Sequence, residues 1–118
     1  AAATTPVYLR FGKAPMVEVH PAGAEPPLTT AAVLRDGRDV AFLATGETVV
    51  HALLAAEELA AGGLSARVLS VPTIKPLDRA AVLAAGRDCG AVVTVEEHSV
   101  HGGLGEAVAA TLLGAGVS

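Results

Sequence analysis

Three acids, two histidines and three glycines fall within the run Glu96-Glu97-His98-Ser99-Val100-His101-Gly102-Gly103-Leu104-Gly105-Glu106. The β-branched residues Val92 to Val95 lead into it, and an apolar helical pattern follows. In open α/β sheets, ligands and partner domains meet the loops after the carboxyl ends of strands, which makes this loop a candidate working edge. Neutral imidazoles and carboxylates suit zinc, but the spacing of Glu96, Glu97, His98 and His101 matches no closed zinc signature. A hydrogen-bonded role for His98 and His101 at a domain or dimer interface fits better, with plain solvent exposure as the alternative. The glycines before a helix could also cradle a phosphate. Glu106 in the first turn, with Glu96 and Glu97 just upstream, would repel that anion. No Lys-Ser or Lys-Thr follows, and no G-x-G-x-x-G opens a helix after a strand. Close packing of loop and helix against a neighbouring backbone accounts for Gly102, Gly103 and Gly105.

Other reactive side chains are isolated. The turn Thr45-Gly46-Glu47 places a carboxylate where a phosphate would sit. Cys89 has no base beside it in sequence, so packing is its expected role. There is no serine-centred nucleophile elbow. His20 and His51 are expected to be inert, the first in a linker and the second on a polar helix face.

The elements that position these residues are legible in the periodicities. Pro6 to Gly12 alternates Val7, Leu9 and Phe11 with Tyr8 and Arg10, a strand pattern. Pro15, Pro21, Pro26 and Pro27 then remove backbone donors, which makes the stretch to about Leu28 a linker. Ala31 to Arg35 and Asp39 to Ala44 are strands, and Asp36-Gly37 between them is a hairpin signal. A helix over Glu47 to Ala61 has Val49, Val50, Leu53, Leu54 and Ala60 on its apolar stripe, and Gly62-Gly63 ends it. Arg67 to Val71 is a strand stopped by Pro72. Asp78 caps a helix running to about Arg87, with Leu77 and Val82 at staple spacing. Ala91 to Val95 is an almost wholly apolar strand, as expected when both faces are covered. Leu104, Val108 and Leu112 mark a last helix that fades at Gly114. Alternating strands and helices of this kind build a parallel sheet between helix layers.

Composition narrows the function classes. The chain has 118 residues, room for one domain of ordinary size. Its formal net charge is −4 and its eight Lys and Arg residues are scattered, so no nucleic-acid footprint exists. Two Phe, one Tyr and no Trp offer little surface for base stacking. A single cysteine excludes an internal disulfide framework and fits a reducing, cytoplasmic setting. No apolar run approaches the ~20 residues of a membrane span, and no basic-then-apolar leader opens the chain.

Three blocks carry a resemblance: Asp39-Val40-Ala41-Phe42-Leu43-Ala44-Thr45-Gly46, Thr73-Ile74-Lys75-Pro76-Leu77-Asp78, and Thr94-Val95-Glu96-Glu97-His98 with Gly102-Gly103-Leu104-Gly105. Their order and spacing resemble the C-terminal domain of transketolases, above all the C-terminal subunits of split bacterial enzymes, and more distantly deoxyxylulose phosphate synthase. The resemblance covers roughly residues 31 to 113. It implies a three-layer α/β/α domain whose mixed, mostly parallel sheet has one antiparallel strand. It divides the chain into the last strand of a preceding pyrimidine-binding domain (1–12), a proline-rich linker (13–30) and the C-terminal domain (31–118). The family's strand after the last helix is expected to be missing.

The same resemblance sets functional expectations. The parent would be a thiamine-diphosphate enzyme with a divalent metal (Mg or Ca), moving a two-carbon ketol unit between sugar phosphates. Cofactor, metal and catalytic residues would lie outside this chain, which alone would be inactive. Lys13 stands where the family commonly has a phosphate-binding Arg; it keeps the charge but lacks the bidentate fork. Glu96, Glu97, His98, His101, Gly102 and Gly103 are the expected interface residues. The expected partners are the enzyme's own cofactor-binding domains or subunit and a second copy in a homodimer, without nucleic acid or membrane. The alternative is a docking module like that of 2-oxoacid dehydrogenases, for which Glu57-Glu58 and Glu96-Glu97 offer modest acidity.

Overall fold

The computed structural model describes residues 4–9, 12, 15–24 and 27–117. Strands β1 (Ala32–Arg35), β2 (Val40–Ala44), β3 (Ala66–Ser70) and β4 (Val92–Val95) form one sheet in the order β1-β3-β2-β4. Helix α1 (Thr48–Ala61) connects β2 to β3, α2 (Arg79–Asp88) connects β3 to β4, and α3 (Leu104–Gly114) follows β4. All neighbours pair in parallel except β1, which runs antiparallel to β3. This is the α/β/α class expected, with its single antiparallel strand.

Alternation along the strands divides the apolar residues between two layers. Ala44, Ala66 and Val68 pack under α1 against Val49, Ala52 and Ala56. Ala41, Leu43, Leu69 and Val71 face the other way, onto Val82 and Ala85 of α2 and Leu104 and Val108 of α3. The α1 seam differs from the stripe expected for it. Ala52 and Ala56 are buried, whereas Leu54 is 54% exposed and Ala60 lies on the surface. Small side chains let the helix axis come close to the sheet, and hydrophobicity alone does not rank an alanine above a leucine.

The helix ends follow local chemistry. Gly63 at φ +83° closes α1, with its N–H on the Ala60 carbonyl and the Leu64 N–H on Leu59, a Schellman arrangement. Gly116 at φ +67° closes α3 in the same way. Asp78 caps α2 as expected: one oxygen accepts from the Ala81 N–H at 3.0 Å. Its other oxygen accepts from the Ala31 N–H at 2.9 Å, tying the entry of β1 to the start of α2. Leu77 and Val82 meet in the same core cluster.

The hairpin expected at Asp36-Gly37 does not form, because β3 lies between β1 and β2. Gly37 is absent from the positive-φ glycines; its need is space, since a Cβ there would stand 2.7 Å from the Ala66 backbone nitrogen. The acids of this connection bind the entry of β3. Asp36 takes the Arg67 guanidinium at 2.9 Å, and Asp39 accepts from the Ser65 N–H and hydroxyl at 2.5 and 2.6 Å. The Gly37 N–H and then Arg67 hold the Asp36 carboxyl below its usual range, and the Ser65 hydroxyl and N–H do the same for Asp39. Arg67 also reaches Asp88 at 3.1 Å, so one guanidinium joins β3, the β1–β2 connection and the end of α2. These charge-assisted bonds raise its own basicity, with Asp88 the larger contributor.

Within the strand pattern at Pro6 to Gly12, the described residues 6–9 are irregular, with Val7 59%, Tyr8 87% and Leu9 70% exposed. Arg10 and Phe11 lie outside the described residues. The outer edge of β4 carries no neighbouring strand among the described residues. No helix among them is long and apolar enough to cross a membrane.

Candidate functional site

Because β2, β3 and β4 are parallel, the chain leaves all three at one end of the sheet. The segments that follow them line a cleft of about 810 Å³: Thr45 to Thr48 after β2, Ile74 and Lys75 after β3, and Glu96, Glu97, His98, Gly102 and Gly103 after β4. Gly12, from the segment leading toward the N-terminus, closes the lining. It sits so close to the Glu47 carboxylate that any Cβ would run into it. Lys13 lies outside the described residues.

Helix α3 carries the organising feature of the cleft. Its cap residue is Gly103, which has no side chain to bond the free amides of the first turn. Glu96, the first residue after β4, supplies the acceptors. Its Oε2 accepts from the Leu104 N–H at 2.7 Å and its Oε1 from the Gly105 N–H at 2.8 Å. A carboxylate on two helix N-terminal amides is favoured by both the charge-assisted bonds and the helix dipole. From the first turn, Glu106 reaches back and accepts from the Gly102 N–H at 2.6 Å. The Ser99 hydroxyl donates to the His101 carbonyl at 2.9 Å inside the loop.

These bonds explain the glycines differently from what was expected. Where they are crowded, it is by side-chain oxygens, the Glu96 carboxylate at Gly103 and the Thr94 hydroxyl at Gly105, and not by a neighbouring backbone. A Cβ on Gly103 would lie 2.7 Å from Glu96 Oε1, and one on Gly105 would lie 3.1 Å from the Thr94 hydroxyl. Gly102 has φ +75° and open space around it, so its requirement is conformational. The acids that would repel a phosphate include the one that takes its place.

The histidines do not converge on a centre. His98 lines the cleft and His101 is exposed outside its lining. Among the described residues, no three His, Cys, Asp or Glu side chains could hold a metal ion together. His51 is exposed on α1, and His20 is half-buried in the linker. Cys89 sits in the α2–α3 core layer, its Sγ 3.5 Å from the Gly37 carbonyl oxygen. Burial pushes its thiol up, which is the reverse of what a nucleophile needs.

Several contributors to the cleft were not singled out as site residues from sequence, Thr48, Ile74 and Lys75 among them. Thr48 is buried, its hydroxyl 2.8 Å from the Thr45 carbonyl and 2.7 Å from that of Val95, so it links α1 to the end of β4. Lys75 is exposed and, among the described residues, brings the one Lys or Arg side chain to the lining. Its position directly downstream of a parallel strand was the available signal.

The family model for the transketolase C-terminal domain matches residues 29–117. A 6-deoxy-6-sulfo-D-fructose transketolase subunit from Clostridium sp. (strain MSTE9) is 51% identical over 107 residues, 91% of this chain and 33% of that protein. A 1-deoxy-D-xylulose-5-phosphate synthase from Thermomicrobium roseum is 45% identical over 115 residues, 95% of this chain and 18% of that protein. A solved structure described as a split-gene transketolase, inactive β4 tetramer, superposes with a TM-score of 0.80 at 42% identity, covering 84% of this chain and 33% of that one. The chain thus spans a third or less of the length of these relatives.

Proposed function

The chain belongs to the transketolase C-terminal domain family, and from that premise we propose that it supports a thiamine-diphosphate-dependent transferase of ketol units between sugar phosphates. Its part is to shape the dimer and brace the cofactor-binding domains, without contributing a catalytic residue. The observation that carries this reading is the cleft. Three strand ends deliver their loops to it, and Gly12, on the segment leading toward the N-terminus, is seated against Glu47 within it. A body joined through residues 4–9 would lie against this face, where the exposed Val7, Tyr8 and Leu9 would find a sheet to pair with.

The described residues do not fit thiamine diphosphate or its metal as ligands. The α3 amides, the natural seat for a diphosphate, are filled by the Glu96 carboxylate. A divalent ion needs several oxygen donors converging, and the donors among the described residues stand apart. Cofactor chemistry therefore belongs to the rest of the enzyme. Lys13 would meet the phosphate of the sugar substrate as a point charge. Glu97, His98 and Lys75 would contact the adjoining domains across the cleft.

The test is a domain exchange. This chain replaces the aligned third of the Clostridium relative, and ketol transfer is assayed with that enzyme's remaining parts. Activity retained in the exchange protein and lost when the segment is deleted is the expected result. An inactive exchange protein that is folded would refute the reading.

A further inference from the structure

We propose that Glu96 is a positioning residue: it holds the loop 97–103 as a preformed docking lip, with Val100 at its tip, for the cofactor-binding part of the same enzyme. The proposal rests on the functional reading above and adds the residue and the device. A seven-residue loop with two glycines costs conformational entropy to order. Here that order exists before any partner arrives. Glu96 binds the amides of Leu104 and Gly105, Glu106 binds that of Gly102, and Ser99 bonds His101 across the turn. Both ends of the loop are therefore fixed to the first turn of α3, whose Leu104 is fully buried in the core.

What the clamp presents is the second observation. Glu97, His98, Val100 and His101 are all exposed, and Val100 is 83% so. A valine left exposed, with His98 and His101 flanking it in sequence, gives up contact within its own domain. Such a residue gains on association, since ordering has already been done and only desolvation remains. The occupant is set by continuity: the lip borders the cleft in which Gly12 is seated, so the body reached through residues 4–9 comes to this side of the sheet.

The experiment uses the exchange protein with three substitutions, Glu96→Gln, Val100→Ser and Arg67→Met. Gln keeps the shape of Glu96, but its NH2 opposes an N–H that the carboxylate accepted. Amide hydrogen exchange at Leu104 and Gly105 should rise roughly tenfold in Glu96→Gln, with ketol transfer reduced several-fold at unchanged KM for the sugar phosphate. Val100→Ser should reduce transfer while leaving the exchange of those amides as in the parent. Arg67→Met, which breaks the ion pairs at the opposite end of the sheet, should lower Tm with full transfer well below it. Wild-type transfer in either Glu96→Gln or Val100→Ser would overturn the proposal and leave the functional reading standing. An inactive parent exchange protein would remove that reading and the dock with it.

Discussion

Gly103 has no room for a methyl group, because the Glu96 carboxylate that caps α3 occupies the space. Gly103→Ala should therefore cost about 1–3 kcal/mol of stability, the usual penalty for overpacking a close contact, read as a lower urea midpoint with unchanged m. Cys89 illustrates the opposite case, a reactive type made inert by its surroundings. With its thiol pushed up by burial, it should react with a thiol reagent at neutral pH only as fast as the chain opens, and at once in denaturant. Asp36 and Asp39 give stability a direction in pH. Both carboxyls are held lower in the folded chain than in the unfolded one. Folding is thus favoured while they are ionised, and that contribution is lost as the pH falls below the ordinary Asp range of about 4. Urea midpoints at pH 7 and pH 3 should differ, and by less in Asp39→Asn. The run 96–106 was legible in sequence as a special loop, and the incompatibility of its acids with a phosphate was legible too. Glu96's partners were not, because the amides it binds lie eight and nine residues away and meet it only when α3 folds back over β4.

The elements of the domain were legible nearly to the residue, since caps and breakers mark them: Asp78 before α2, Gly62-Gly63 after α1, Gly114 at the end of α3. Pairing was not, and β1 shows why. Asp-Gly between two apolar runs satisfies the rule for a tight hairpin, yet β3, thirty residues downstream, competes for the same edges and offers Ser65 and Arg67 to the two aspartates. The two arrangements make opposite demands on Gly37. A hairpin turn would accept Asn there, whereas contact with the Ala66 backbone accepts no side chain. Gly37→Asn should cost about 1–3 kcal/mol, measured by chemical denaturation. On α1 the contrast lies between Leu54 and Ala56. Leu54→Lys should change stability by less than about 0.5 kcal/mol, while Ala56→Leu should lose about 1–3 kcal/mol, the reverse of an order based on hydrophobicity.

For the whole molecule, fold and family rest on agreement between independent levels: crossover pattern, sheet order, and matches over residues 29–117. The chain spans a third or less of its relatives, and among the described residues no three His, Cys, Asp or Glu side chains converge as metal ligands. The account therefore places activity in the assembly and gives this domain the work of holding parts together. That division follows from where the polar residues are spent: Glu96, Glu106, Asp78 and Arg67 all bond within the domain. The measurement that tests it most directly is thiamine-diphosphate-dependent ketol transfer between sugar phosphates, made with this chain alone, with the remaining parts of the Clostridium enzyme (the rest of the subunit and whatever it assembles with) alone, and with both together. The account predicts no turnover from this chain, weak or no turnover from the remainder, and a clear rise on mixing. Turnover from this chain alone, or a remainder that is fully active and indifferent to its addition, would contradict it.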